Sequence, residues 1–249
     1  GTVTGVQTCA LPILEWMVKR AQELAPRRFV AAVRDLKVLK GIALSDFDGK
    51  GDSFEVKAEP RGDTLAMEIR TPGGPLHYRA TVELSDGPPA RPSVPAIPTL
   101  PAYEHTLAEV YPGLLFHGPA FQVIRRIAGA SDTALEAELT GVHDVGWPVN
   151  GWATDLAAFD GGLQLAALWN RRHTSAAALP TGIGAWLSYG VPAPGPIRCA
   201  LTARRAAGAS VVSDLVFVDA RGQLFAELRG VETHALPGGV YPTGPRAEA

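Results

Sequence analysis

Cysteine is nearly absent, with only Cys9 and Cys199 in 249 residues. No CxxC spacing exists, which excludes a thiolate metal site, and two thiols do not make a disulfide framework. Cys199 reads as a small buried hydrophobe in a strand. No apolar run approaches the roughly 20 residues needed to cross a bilayer, so no membrane span is expected. The start shows no basic region followed by an apolar core and a small-residue cleavage site. No signal peptide is read there, and a reducing cytoplasm is the expected compartment. Basic charge is not concentrated: 23 Lys and Arg stand against 25 Asp and Glu, and the arginine pairs at 27–28, 125–126, 171–172 and 204–205 are dispersed. That distribution argues against a nucleic-acid partner. Histidine is also sparse. His105, His143, His173 and His234 lack metal-ligand spacing and are expected on the surface or in loops, so no metal is expected.

What is present is core material. Hydrophobic residues make up 46% of the chain and charged residues 19%, enough for one large domain or two smaller ones. The clearest boundary is the segment 86–102, with six prolines in 17 residues. So many missing N–H groups rule out a helix or a central strand and leave an extended, semi-rigid connector. Three parts result: 1–85, the linker 86–102, and 103–236, followed by a tail or linker at 237–249.

Each large part has the same order of elements. In the first, Ile13, Leu14, Met17, Val18, Ala21 and Leu24 fall at helical spacing, with Glu15, Lys19, Arg20 and Glu23 opposite, and Pro26 ends the run. Strand-like segments follow at 29–44, 54–59, 64–71 and 76–84, with period-2 alternation in Leu65, Met67 and Ile69. In the second, strand-like 120–128 and 134–139 precede a helix across 155–172. Strands return at 184–189, 197–206, 210–218 and 224–233, the last two joined by a turn at 219–222. One long helix against an antiparallel sheet buries one face of each. The expected class is α+β, two such units side by side.

Two stretches carry chemistry: Phe116-His117-Gly118-Pro119-Ala120-Phe121-Gln122 and Phe159-Asp160-Gly161-Gly162-Leu163-Gln164. Asp160 and Gln164 are four residues apart and share a helix face with Leu156, Phe159, Leu163 and Ala167. An acid on an apolar face is costly unless it is paired or chemically employed. A carboxyl group donates a proton at neutral pH only where an apolar site raises its pKa, and Asp160 is placed for that. A helix cap is the alternative role for Asp160. Asp155 is the rival acid, but Thr154-Asp155 suits a cap, and position 159 is phenylalanine where a Gln or His partner would be needed. Gly161-Gly162 favours tight packing over close approach of a substrate. Trp147, Trp152, Trp169 and Trp186 are expected in the core or a tunnel wall.

With these motifs in this order, the chain resembles the dehydratase domains of polyketide synthases and of the related polyunsaturated fatty acid and enediyne synthases. The likeness runs from about Leu14 to Leu236. It includes the proline-rich joint, the 116–122 segment, the Asp160/Gln164 pair and the closing stretch Gly222–Val231. The resemblance implies a double hotdog that removes water from a 3-hydroxyacyl thioester, giving a trans-2-enoyl product. The substrate would ride on the phosphopantetheine arm of an acyl carrier protein, and the domain would need no cofactor of its own. Asp160 would be the acid serving the departing hydroxyl, and Gln164 would hold it. His117, Gly118, Pro119, Phe121 and Gln122 would line the substrate tunnel, with His117, where many members have tyrosine, a hydrogen-bonded wall residue and, as the alternative, a substitute base. The carrier protein is the implied partner, and the architecture allows a homodimer. A non-catalytic double hotdog and a product-template cyclase are the rival functions.

One departure is serious. The family opens with His-x-x-x-Gly-x-x-x-x-Pro, whose histidine takes the α-proton. With Pro12 as the motif proline, Gln7 fills the glycine position and Val3 the histidine position. The first histidine in the chain is His77. The start at 5–13 is unlike the family and similar to a translated sequencing-adapter remnant, so the true chain is expected to begin further upstream. As written, the chain is expected to be inactive or nearly so. Loss of one member of an acid–base pair costs on the order of 10² to 10⁴ in rate.

Overall fold

The computed structural model describes residues 10–42, 52–147 and 151–241. Val3, Gln7 and Cys9 lie outside the described residues, as does most of the tail. The N-terminal half supplies α1 (Ala10–Leu24), β1 (Phe29–Val38), β2 (Glu55–Arg61), β3 (Thr64–Arg70) and β4 (Leu76–Ser85). The C-terminal half supplies a single helical turn, α2 (Leu107–Glu109), then β5 (Ile124–Ala130), β6 (Ala134–Leu139) and the long helix α3 (Leu156–Thr174). It closes with β7 (Ala178–Ser188), β8 (Ile197–Ala207), β9 (Ser210–Val218) and β10 (Leu224–Ala235).

The ten strands form one antiparallel sheet in the order β2-β3-β4-β1-β7-β10-β9-β8-β6-β5. β1 and β7 are the seam between the halves, with Val33 paired to Trp186 and Ala32 to Leu187. α1 packs on β1–β4 and α3 on β6–β10, and the two helices touch each other. The architecture is therefore a double hotdog. The alternation in β3 is literal: Leu65, Met67 and Ile69 are buried and their neighbours are half-buried.

Burial on α3 extends around nearly its whole circumference, as expected of a helix enclosed by a sheet and the neighbouring helix. Its first turn carries Phe159, which meets Phe217 edge-on at 5.1 Å and Trp186 at 5.9 Å between ring centroids. Gly162 explains itself here: a Cβ would come within 2.6 Å of Phe217 Cζ. Gly161 is equally tight, since a Cβ there would meet Leu139 Cδ1 at 2.8 Å and Val123 Cγ2 at 3.1 Å. Both glycines serve packing. Gly162→Ala should lower stability by about 1–3 kcal/mol despite alanine's better helix propensity, because Phe217 is fully buried and cannot swing aside. Chemical denaturation of the variant tests this.

Four readings need correction. Glu15 does not lie on a solvated face of α1; it is 2% exposed and bonded to the loop before α3. Leu24, placed on the apolar face, is 45% exposed because it ends the helix beyond the sheet contact. β1 stops at Val38, well short of residue 44. The segment from Ala120 is not yet strand: Gly118-Pro119 opens a 3-10 turn over Pro119–Phe121, with proline's fixed φ suited to its first position, and pairing begins only at Ile124. The proline-rich segment lies against the C-terminal half. Pro101 carbonyl accepts from Ala130 N–H at 2.9 Å, and Gly129 gives the close approach this requires.

Candidate active site

Asp160 stands one turn into α3, not at its start. Asp155 is the N-cap; its Oδ1 accepts from Ala158 N–H at 3.0 Å and from Val142 N–H at 2.9 Å. The capping role read as an alternative for Asp160 thus belongs to Asp155. Burial raises the Asp155 carboxyl, and its Oδ2 is buried without a partner. Asp155 is nonetheless a structural cap, fixed by two backbone amides.

A chain of hydrogen bonds defines the state of Asp160. Ile124 N–H donates to Tyr111 Oη at 2.8 Å. Tyr111 therefore donates its own proton, to Gln164 Oε1 at 3.0 Å. That fixes the orientation of the Gln164 carboxamide, whose two N–H groups donate to Phe121 carbonyl at 2.8 Å and to Asp160 Oδ2 at 2.6 Å. Gln164 is 1% exposed, and its carbonyl and both its N–H groups are engaged. Since Oδ2 is an acceptor in this chain, the proton of a neutral Asp160 sits on Oδ1, to which no described residue donates.

Part of the Asp160 side chain touches open space, yet protein surrounds its carboxyl densely. Burial pushes it from 3.8 up to about 7, and the Gln164 hydrogen bond only partly opposes this. The Tyr111 phenol is raised by burial, with the nearby Asp160 charge adding to the effect, and it stays protonated. The arrangement keeps a carboxyl that is protonated below about pH 7, with its donor directed away from its support.

The 116–122 segment is tied to this acid through Phe121. Gln122 Nε2 turns back onto His117 carbonyl at 3.2 Å, which closes the loop on itself. Phe121 is 40% exposed and packs on Trp147 at 5.2 Å, while Trp147 Nε1–H donates to Ala120 carbonyl at 2.8 Å. Gly118 and Pro119 are exposed at the apex. His117 stacks on Phe116 at 4.3 Å, and burial lowers its imidazole to about 4, so it is neutral at pH 7. Its Nδ1 is buried without a partner, in contrast to the expected hydrogen-bonded wall residue. His77 is not a candidate base: Nε2 bonds Thr71 Oγ1 at 2.6 Å and Nδ1 meets Lys40 carbonyl at 3.0 Å. Trp169 and Trp186 are in the core. His105, His143 and His173 are exposed, and His234 is half-buried on β10.

Two residues escaped the sequence reading. Tyr111 sits in a widened π-helical turn over Val110–Leu114, and an aromatic ahead of Pro112-Gly113 reads only as core. Glu15 reads as one more charge on a helix face, and only a contact 138 residues away shows otherwise.

The structure is thus a double hotdog with a raised, carboxamide-held carboxyl on the long helix of its C-terminal half. Residues 88–241 match the family described as the polyketide synthase dehydratase N-terminal domain. The chain belongs to the polyketide synthase dehydratase family. It is 30% identical over 226 residues to a polyunsaturated fatty acid synthase polypeptide of Thraustochytrium, a match covering 83% of this chain and 8% of that protein's length. Among solved structures it is similar to the dehydratase domain of PpsC from Mycobacterium tuberculosis in complex with C12:1-CoA, with a TM-score of 0.69, 20% identity, and coverage of 91% of this chain and 84% of that one. An inactive His-to-Phe mutant of the CurJ dehydratase gives a TM-score of 0.73 at 15% identity, covering 91% and 82% of the two chains. At such identities these structures speak for the fold.

Proposed function

We propose that this domain's site removes water from a 3-hydroxyacyl thioester carried by an acyl carrier protein, yielding a trans-2-enoyl thioester. The observation that supports this most is the buried Asp160 carboxyl, raised to about 7 and held through Oδ2 by Gln164 with Oδ1 left free. In the reaction, Asp160 Oδ1 gives its proton to the β-hydroxyl, a base removes an α-proton, the C–O bond breaks and the new C=C bond forms. Water leaves and Asp160 is left as carboxylate, stabilised by Gln164 Nε2. Tyr111 and Gln164 do not touch substrate in this scheme; they fix which oxygen carries the proton. His117, Gly118, Pro119, Phe121 and Gln122 form the adjoining wall. Phosphopantetheine belongs to the carrier and supplies only the thioester.

The family's motif histidine has no counterpart among these residues. With Val3 in the histidine position, we expect the chain as it stands to turn over at least about 10²-fold more slowly than one carrying the complete motif. The CurJ dehydratase made inactive by a His-to-Phe change is consistent with such a dependence. The test is turnover of a 3-hydroxyacyl-pantetheine thioester, followed as loss of water by mass spectrometry. Three chains are compared: the parent, the parent with a His-x-x-x-Gly-x-x-x-x-Pro start, and the latter with Asp160→Asn. Gain of activity with the motif and its loss in the variant is the expected result. Silence in all three would favour a non-catalytic, carrier-binding role.

A further inference from the structure

The seam between β1 and β7 joins the two halves on the sheet side. On the helix side a buried carboxylate joins them. Glu15 of α1 accepts Ala153 N–H through Oε1 at 2.6 Å. Its Oε2 accepts both Thr154 N–H at 3.0 Å and Thr154 Oγ1–H at 2.6 Å. Lys19, one turn on, stands 3.4 Å from Glu15 Oε1 and 5.4 Å from the centroid of the Trp152 ring. Two residues of α1 thus grip three consecutive residues of the loop that leads directly to Asp155, the cap of α3. Asp160 follows one turn later.

Packing alone does not call for an acid here. Ile13, Leu14, Met17 and Val18 already bury α1 against the core, and an apolar side chain would avoid the cost of desolvating a carboxylate. What the carboxylate adds is direction. It fixes two backbone amides and one hydroxyl to within hydrogen-bond tolerance, and removing it would strand all three.

We propose that Glu15 is a positioning residue for Asp160: by clamping 153–154 to α1 it sets the start of α3, and with it the place of the acid. The inference rests on the dehydratase reading of the site, in which Asp160 is the acid.

The test uses the full chain with its aspartates labelled with ¹³C at the carboxyl carbon, the Asp160 signal being assigned by its absence in Asp160→Asn. The parent should titrate at about 7. In Glu15→Ala the midpoint should fall to about 6 or below, because a loosened first turn admits water to the carboxyl. Amide exchange should accelerate at Ala158 and Phe159 at least about tenfold more than at the middle of α3. Thr154→Val, which removes only the hydroxyl contact, should shift the midpoint in the same direction by less, and it carries the test if Glu15→Ala does not fold. A parent midpoint near 4 would overturn the reading of Asp160 as the acid and this proposal with it. A raised parent midpoint that neither variant moves would overturn the positioning role alone, whatever stability is lost.

Discussion

Asp160→Asn should make the protein more stable, by about 4 kcal/mol at pH 8. Burial raises the native carboxyl from 3.8 to about 7. Between those values the native state binds a proton that the unfolded chain has released, so stability falls as pH rises through this window and stays low above it. A gap of about three pH units at about 1.4 kcal/mol each gives the figure. Asparagine removes the penalty and keeps the support, because its carbonyl still accepts from Gln164 Nε2 and its amide occupies the place of the Oδ1 hydroxyl. The melting temperature should rise by about 10 °C at pH 8 and be almost unchanged at pH 4. His117 works in the opposite sense: its folded value is depressed to about 4, so it adds stability as pH rises from there towards its ordinary 6.5. The parent profile is therefore nearly flat across that range, and the variant's should climb. The difference between the two profiles isolates Asp160. A variant equally stable or less stable at pH 8 would show that the carboxyl is not raised. A stabilising change at the acid is what a site strained for function would give.

Much of this architecture was legible because period-2 and period-3.6 patterns are local. β6 and β9 fall at the bounds their alternation indicates, and α3 begins at the Thr154-Asp155 signal read as a cap. The Asp160–Gln164 contact was legible for the same reason, since spacing on one helix decides it. The elements that failed are those decided by distant partners. Glu15 looks solvated until residues 153–154 arrive to pair with it. Tyr111 looks like core until Ile124 N–H and Gln164 meet at its hydroxyl. The first residues from Ala120 look like strand because Phe121, Val123 and Ile124 are good strand formers, but the Phe121 carbonyl is held by Gln164 and not by a neighbouring strand. Local propensity loses wherever a buried polar group has a long-range partner to satisfy.

Gln164 is such a group, and its loss should be the most damaging single change in the site. Gln164→Leu conserves bulk but strands two groups at once, the Tyr111 hydroxyl proton and Asp160 Oδ2, and leaves the Phe121 carbonyl with only Val123 N–H. At about 1–3 kcal/mol for each of the two buried groups left without a partner, softened by local relaxation, the variant should lose about 2–4 kcal/mol. The pH response should separate this from a simple packing defect. The Gln164 hydrogen bond is the only influence that lowers the Asp160 carboxyl, so without it the midpoint should move above 7. Asp160 would then remain neutral to higher pH but lose the contact that assigns its proton to Oδ1, and turnover in a motif-complete chain should fall although the acid stays protonated. Gln164→His should restore part of both stability and turnover, since an imidazole can accept from Tyr111 and donate to Asp160 while leaving the Phe121 carbonyl to Val123 N–H alone. Denaturant unfolding at pH 6 and pH 8, with the carboxyl titration beside it, checks each part. An Asp160 midpoint that falls in Gln164→Leu would mean that the carboxamide orients nothing and that Asp160 is held by some other contact.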